Sequence, residues 1–122
     1  PNTPAISLYF ALDFQLKRIL AEGIEDRWAR HKAMQKEVMA WADRLGLKVI
    51  AVKEGRSPTV TCIELRKGVD MQVFLDRVAE QGVTLGTGYG KLKSSTFRIG
   101  HMGDHTVETI QRCLSACENA LS

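Results

Sequence analysis

Thr96-Phe97-Arg98-Ile99-Gly100-His101-Met102-Gly103 is the stretch on which the fold turns. Its alternation sends Phe97 and Ile99 to one face of a short strand and Arg98 to the other. The strand is expected over Thr96 to Ile99. Gly100 to Asp104 then reads as a polar, flexible connection, in which Gly100 and Gly103 permit a sharp turn or a close approach of the backbone. Thr106 caps a last helix, where Val107, Ile110, Leu114, Cys117 and Leu121 form one apolar stripe.

Working back from this strand, Gly86-Thr87-Gly88-Tyr89-Gly90 with Ser94 and Ser95 forms a loop, preceded by a short strand at Val83 to Leu85. A third helix is capped by Asp70, carries Met71, Phe74, Leu75, Val78 and Ala79, and stops at Gly82. Earlier still, Thr59 to Leu65 is a β-branched strand, Glu54 to Pro58 a turn, and Leu47 to Val52 an apolar strand. A second helix runs from about Ile24 to Leu45, with Ile24, Trp28, His31, Met34, Val38, Trp41, Ala42 and Leu45 at helical spacing and Gly46 at its C-cap. The first helix has Thr3 as its N-cap, Pro4 at its first position and Gly23 at its end. Ala5 to Leu12 is apolar almost all round, so that half is expected to be buried on most sides by something outside a small domain. The order α, α, β, β, α, β, β, α predicts an α/β domain of the α+β kind, with a small, mostly antiparallel sheet and helices packed on one side.

The bulk numbers set outer bounds. A chain of 122 residues suits one domain with a sizeable core. A 44% hydrophobic and 25% charged composition is that of an ordinary globular protein. The formal charge of +3, with Lys and Arg interspersed among Asp and Glu, argues against a dedicated nucleic-acid binder. No apolar stretch approaches the roughly 20 residues that span a bilayer, so no membrane partner is expected. There is no signal-peptide pattern, and the chain opens on Pro1 rather than Met, so its true amino terminus is expected to lie elsewhere. Cys62, Cys113 and Cys117 make no disulfide framework, and no second Cys or His pair completes a metal site around Cys113 and Cys117. Buried thiols in a reducing, cytoplasmic setting are expected.

Two places could carry chemistry. A helix start at Thr3 offers free backbone N–H groups, a partial positive charge and a hydroxyl to a phosphate or carboxylate, although Thr3 would also serve simply as a cap. Arg98 could grip a carboxylate through two parallel hydrogen bonds, which Lys could not, although a solvated arginine on a sheet face is an equal alternative. The Gly86 to Gly90 loop lacks a P-loop ending and no helix follows it, so it is expected to be a mobile loop lining a cleft. Lys91 and Lys93 sit where nothing desolvates them, which speaks against a Schiff-base lysine. His31 lies on an apolar stripe, and His101 and His105 have only Asp104 as a further ligand, so no metal is expected. No activated nucleophile or base is recognisable, and no catalytic residue is assigned.

Taken together these residues resemble the carboxy-terminal part of class V aminotransferases, the pyridoxal-phosphate (PLP) enzymes related to serine–pyruvate and alanine–glyoxylate aminotransferases. The resemblance covers essentially the whole chain. It runs through Asn2-Thr3-Pro4-Ala5, Glu22-Gly23-Ile24-Glu25, Trp28-Ala29-Arg30-His31, Ser57-Pro58-Thr59-Val60-Thr61, the glycine loop and Phe97-Arg98-Ile99-Gly100-His101-Met102-Gly103. Proteins named soluble hydrogenase subunits are similar too, a name that implies no hydrogenase metal centre.

The resemblance implies the small C-terminal domain of a fold-type I PLP enzyme, with residues 1–23 packing on a larger domain or a partner subunit. It implies that Arg98 binds the substrate α-carboxylate and that Thr3 reaches the cofactor phosphate, typically across a dimer interface. The lysine that holds PLP and the acid that pairs its pyridine nitrogen would belong to the preceding larger domain. The full-length homodimer would move an amino group between a small amino acid and a 2-oxo acid, while this chain alone would be inactive. A lyase or desulfurase of the same class is an alternative, although no cysteine here sits in a reactive loop. A free-standing amino-acid-binding or interaction domain is another.

Overall fold

In the computed structural model, residues 3–122 are described, so Pro1 and the Asn2 of the quoted motif lie outside the described residues. The chain divides into two units, one up to Arg30 and one from His31 to Ser122.

The first unit holds helix α1 (Ile6–Glu22) and the first turns of α2 (Ile24–Arg44). Thr3 does not cap α1. The N-cap is Ala5, with no side-chain hydrogen bond. The reason is local: Ala5, at φ −75° and ψ 70°, still lies outside the helical region, so the helix begins only at Ile6. The Pro4 carbonyl then closes a turn by accepting from Ile6 N at 2.9 Å, and the Ala5 carbonyl accepts from Leu8 N at 2.9 Å and Tyr9 N at 3.2 Å. Gly23 ends the helix at φ +89°, a left-handed conformation that favours glycine, and its N–H bonds to the Ile19 carbonyl at 3.0 Å. No residue of α1 is buried within the chain, and Leu8, Tyr9, Phe10, Phe14 and Leu20 are all exposed. Glu22 bonds to Arg27 at 2.7 Å and to Arg30 at 2.6 Å. Desolvation raises its pKa, but the two guanidiniums outweigh that and hold the carboxyl below its ordinary value.

The second unit is the sheet and its helices. Strands β1 (Val60–Glu64), β2 (Gly86–Thr87) and β3 (Thr96–Gly100) form an antiparallel sheet in the order β1-β3-β2. Ile63 pairs with Phe97, Thr61 with Ile99, and Cys62 with Arg98, while Gly86 pairs with Arg98 from the other side. Thr61, Ile63, Phe97 and Ile99 are therefore on the buried face, and Cys62 and Arg98 on the opposite one.

The core is filled from α2, α3 (Met71–Glu80) and α4 (Val107–Leu121) by Met34, Val38, Trp41, Phe74, Val78, Ile110, Leu114 and Cys117. Phe74 and Phe97 pack with ring centroids 4.8 Å apart at 50°, a tilted pair that joins α3 to β3. Burying each phenyl group stabilises the fold by about 1.5–3 kcal/mol. The expected caps are in place: Asp70 accepts from Val73 N at 3.0 Å, and Thr106 and Thr109 form a reciprocal capping box. The helical stripe of α2 is buried only in part, since Ile24 and Trp28 are exposed while Met34, Val38, Trp41 and Ala42 are buried. The α+β architecture with a small antiparallel sheet is as the sequence predicts.

Two expected strands differ. Leu47 to Val52 makes a single antiparallel bridge, Val49 with Ile63, flanked by hydrogen bonds from Ile50 N to Cys62 O and from Glu64 N to Lys48 O. The chain then leaves the edge for a 3-10 turn at Lys53–Gly55. Val83 to Leu85 forms no ladder, because Val83 N is taken by the Val78 carbonyl at the end of α3 and pairing with β3 begins only at Gly86. Val83 and Leu85 still pack against the core. Among the described residues no helix is long and apolar enough to cross a membrane.

Candidate functional site

The site is built on β3. Because Phe97 and Ile99 are consumed by the core, Arg98 must project from the other face, where it is half-buried. Its Nε donates to the Thr87 carbonyl at 2.7 Å, across the β2–β3 pairing. Its guanidinium carbon lies 4.2 Å from the centre of the Tyr89 ring, a close cation–π contact. Gly86 makes room for it: a Cβ there would stand 2.9 Å from Arg98 Nη2. Among the described residues no carboxylate pairs with Arg98. A guanidinium fixed at Nε keeps both terminal nitrogens for an anion, and two parallel bonds to a carboxylate suit that geometry.

The glycine loop is a packed hairpin connection. Gly88 N bonds to the Thr96 carbonyl at 2.9 Å, and Thr96 Oγ1 donates to the Leu92 carbonyl at 2.8 Å. A Cβ on Gly88 would fall within 3 Å of both Thr96 Oγ1 and the Leu92 carbonyl, so glycine serves close approach here. The loop lines a cleft through Gly86, as expected. Lys91 and Lys93 are exposed on the 3-10 turn at Gly90–Leu92 and just after it. An open cleft of ≈ 890 Å³ is lined by Gly86, Arg98, Gly100, Met102, His105 and Cys113, among others.

His101, expected in a polar connection, is fully buried. Its backbone N–H bonds to the Thr59 carbonyl at 2.8 Å, its Nδ1 lies 3.1 Å from the Pro58 carbonyl, and its Nε2 lies 2.9 Å from Thr61 Oγ1. A neutral ring that donates from Nδ1 and accepts at Nε2 satisfies both partners. Burial lowers its pKa from the ordinary 6.5, and the Pro58 carbonyl only partly opposes that shift. His101 therefore locks the end of β3 onto the start of β1 and is no base poised in the cleft. His31 Nε2 lies 3.5 Å from the Gly103 carbonyl. Among the described residues no group of three or more His, Cys, Asp or Glu side chains could hold a metal ion.

Thr3 is exposed and precedes α1 in the first unit, while Arg98 belongs to the second. The roles of Tyr89 and Gly86 were not read from the sequence. The available signal was the Gly-x-Gly spacing directly upstream of a strand whose middle residue is a lone arginine.

No protein-family model matches the chain. It is 38% identical over 108 residues to the L-aspartate–glyoxylate aminotransferase of Paracoccus denitrificans, covering 87% of this chain and 27% of that protein. It is 31% identical over 123 residues to the soluble hydrogenase small subunit of a Synechococcus species, covering 100% of this chain and 32% of that protein. Among solved structures it superposes on pyridoxamine–pyruvate aminotransferase from Mesorhizobium loti with a TM-score of 0.92 and 33% identity, over 98% of this chain and 31% of that one. The chain thus spans about a third or less of the length of the relatives it matches.

Proposed function

Because the chain belongs to the family of the amino-acid–glyoxylate aminotransferases, we propose that it is the substrate-gripping part of a PLP-dependent aminotransferase. The protein that carries it moves an amino group between a small amino acid and a 2-oxo acid such as glyoxylate. The observation that carries this reading is Arg98: a guanidinium fixed by the Thr87 carbonyl and the Tyr89 ring, with no carboxylate partner among the described residues.

Aminotransferase relatives imply PLP as the cofactor. The residues present fit its anionic surroundings in a specific way. Arg98 suits the carboxylate of the substrate. Thr3, whose hydroxyl makes no hydrogen bond among the described residues, suits the phosphate. Every lysine of the chain is exposed, so none has the desolvation that would tune it to hold the aldehyde. That lysine comes from the rest of the family's fold. When bound, PLP supplies the electron sink for the chemistry at Cα. Arg98 contributes orientation: gripping the carboxylate at two points fixes the rotation of the amino acid about its Cα, which lowers the entropic part of the barrier.

The exposed apolar side chains of α1 have a place in the same proposal. They pack against the remainder of the protein or a partner subunit in a homodimer. Three free cysteines among the described residues fit a cytoplasmic setting. The test is direct: supplied with PLP, small amino acids and glyoxylate, the full protein consumes glyoxylate and forms glycine. Absence of glycine from glyoxylate with every donor, together with absence of alanine when pyruvate is the acceptor, would overturn the proposal.

A further inference from the structure

We propose that Tyr89 is a positioning residue for the substrate carboxylate, its ring serving as the shelf on which the Arg98 guanidinium is held. The inference rests on the reading of Arg98 given above. Tyr89 is 76% exposed, so its ring contributes little to the core, and its hydroxyl makes no hydrogen bond among the described residues. Among the described residues the specific contact of its ring is with the Arg98 guanidinium, whose carbon lies 4.2 Å from the ring centre. Three constraints act on that group. The Thr87 carbonyl fixes Nε at 2.7 Å, the ring covers one face of the guanidinium, and Gly86 leaves space for Nη2.

An arginine side chain has many rotamers, and each one lost on binding weakens the grip. With Nε bonded and one face stacked, the fork is pre-ordered before the substrate arrives. The face of an aromatic ring is also negative, which favours the cation without neutralising it as a carboxylate would. An acid at this position would compete with the substrate; a ring does not.

The experiment compares Tyr89→Leu, Tyr89→Phe and Arg98→Lys with the parent in the full protein loaded with PLP. The readouts are KM and kcat for the amino acid, and the dissociation constant of propionate, a non-reacting carboxylate, by calorimetry. Tyr89→Leu is expected to raise KM and the propionate constant together by about three- to tenfold, with kcat little changed. Tyr89→Phe keeps the ring and is expected to bind propionate much as the parent does. Unchanged constants in Tyr89→Leu, while Arg98→Lys weakens both, would overturn the role of Tyr89 alone. Equal weakening by Phe and Leu would overturn it too, by assigning the effect to the hydroxyl. Unchanged constants in Arg98→Lys would overturn the reading of Arg98 itself, and with it this inference.

Discussion

Arg98 Nε donates to the Thr87 carbonyl at 2.7 Å, so the arginine at the middle of β3 is tied to the end of β2 through one nitrogen only. That single bond separates a functional arginine from a structural one. Arg98→Met removes it and leaves no buried charge behind. A stability loss of about 0.5–1.5 kcal/mol is expected in urea denaturation, the net worth of one hydrogen bond. A loss of about 3 kcal/mol or more would match a broken buried ion pair and would make Arg98 a structural residue.

Gly88 faces the hydroxyl of Thr96 at a separation no Cβ could tolerate. Gly88→Ala must push apart Thr96, Leu92 and the hairpin that carries Tyr89. The expected cost is about 1–3 kcal/mol, typical of overpacking, seen as a lower Tm. Gly86→Ala is the contrasting case. The three atoms nearest to its Cβ would all belong to the flexible Arg98 guanidinium group, so Tm should hold while carboxylate affinity falls. A Tm that drops equally in both variants would contradict this account of the loop.

His101 makes stability depend on pH. Its folded pKa lies below the ordinary 6.5, so over the interval between the two values the unfolded chain binds more protons. The contribution of His101 is therefore fully present above 6.5 and is lost as the pH falls below it, toward the folded value. Denaturation midpoints measured from pH 7.5 downward should decline through this window. His101→Gln should flatten that part of the profile while lowering stability throughout. A midpoint that rises as the pH falls from 6.5 would show the opposite sign of shift.

The exposed side chains of α1 predict an interface. Tyr9 and Phe10 are 66% and 72% exposed in the chain. Replacing both with Ser in the full protein should weaken subunit association or lower its Tm, because the proposed interface would lose the apolar area that these two side chains bury in it. Sedimentation velocity and a thermal melt check this. Unchanged values in both would show that these side chains face water.

Much of this was legible in the sequence, and the misses share a cause. The alternation around Arg98, the caps at Asp70 and Thr106, and the stripe of α4 are local patterns, and the structure follows them. Val83 to Leu85 has the composition of a strand, but a ladder needs a free partner edge, and Val83 is still bonded to the end of α3. Thr3 has the chemistry of a cap, but Ala5 stays outside the helical region and takes the cap position, so the helix starts at Ile6. His101 looked like a polar loop residue because its partners, Pro58 and Thr61, lie some forty positions away. The Tyr89–Arg98 stack was illegible for the same reason: only the β2–β3 pairing brings the two together.

The most direct measurement is the kcat/KM of the full, PLP-loaded protein for its amino acid with Arg98 replaced by Lys. Lysine keeps the charge but cannot bond to the Thr87 carbonyl and hold a carboxylate through two parallel bonds. The predicted result is a fall in kcat/KM of about tenfold or more, equivalent to at least about 1.4 kcal/mol, with the PLP absorbance unchanged. An unaltered kcat/KM at sub-saturating amino acid would contradict the assignment of Arg98 as the group that grips the substrate.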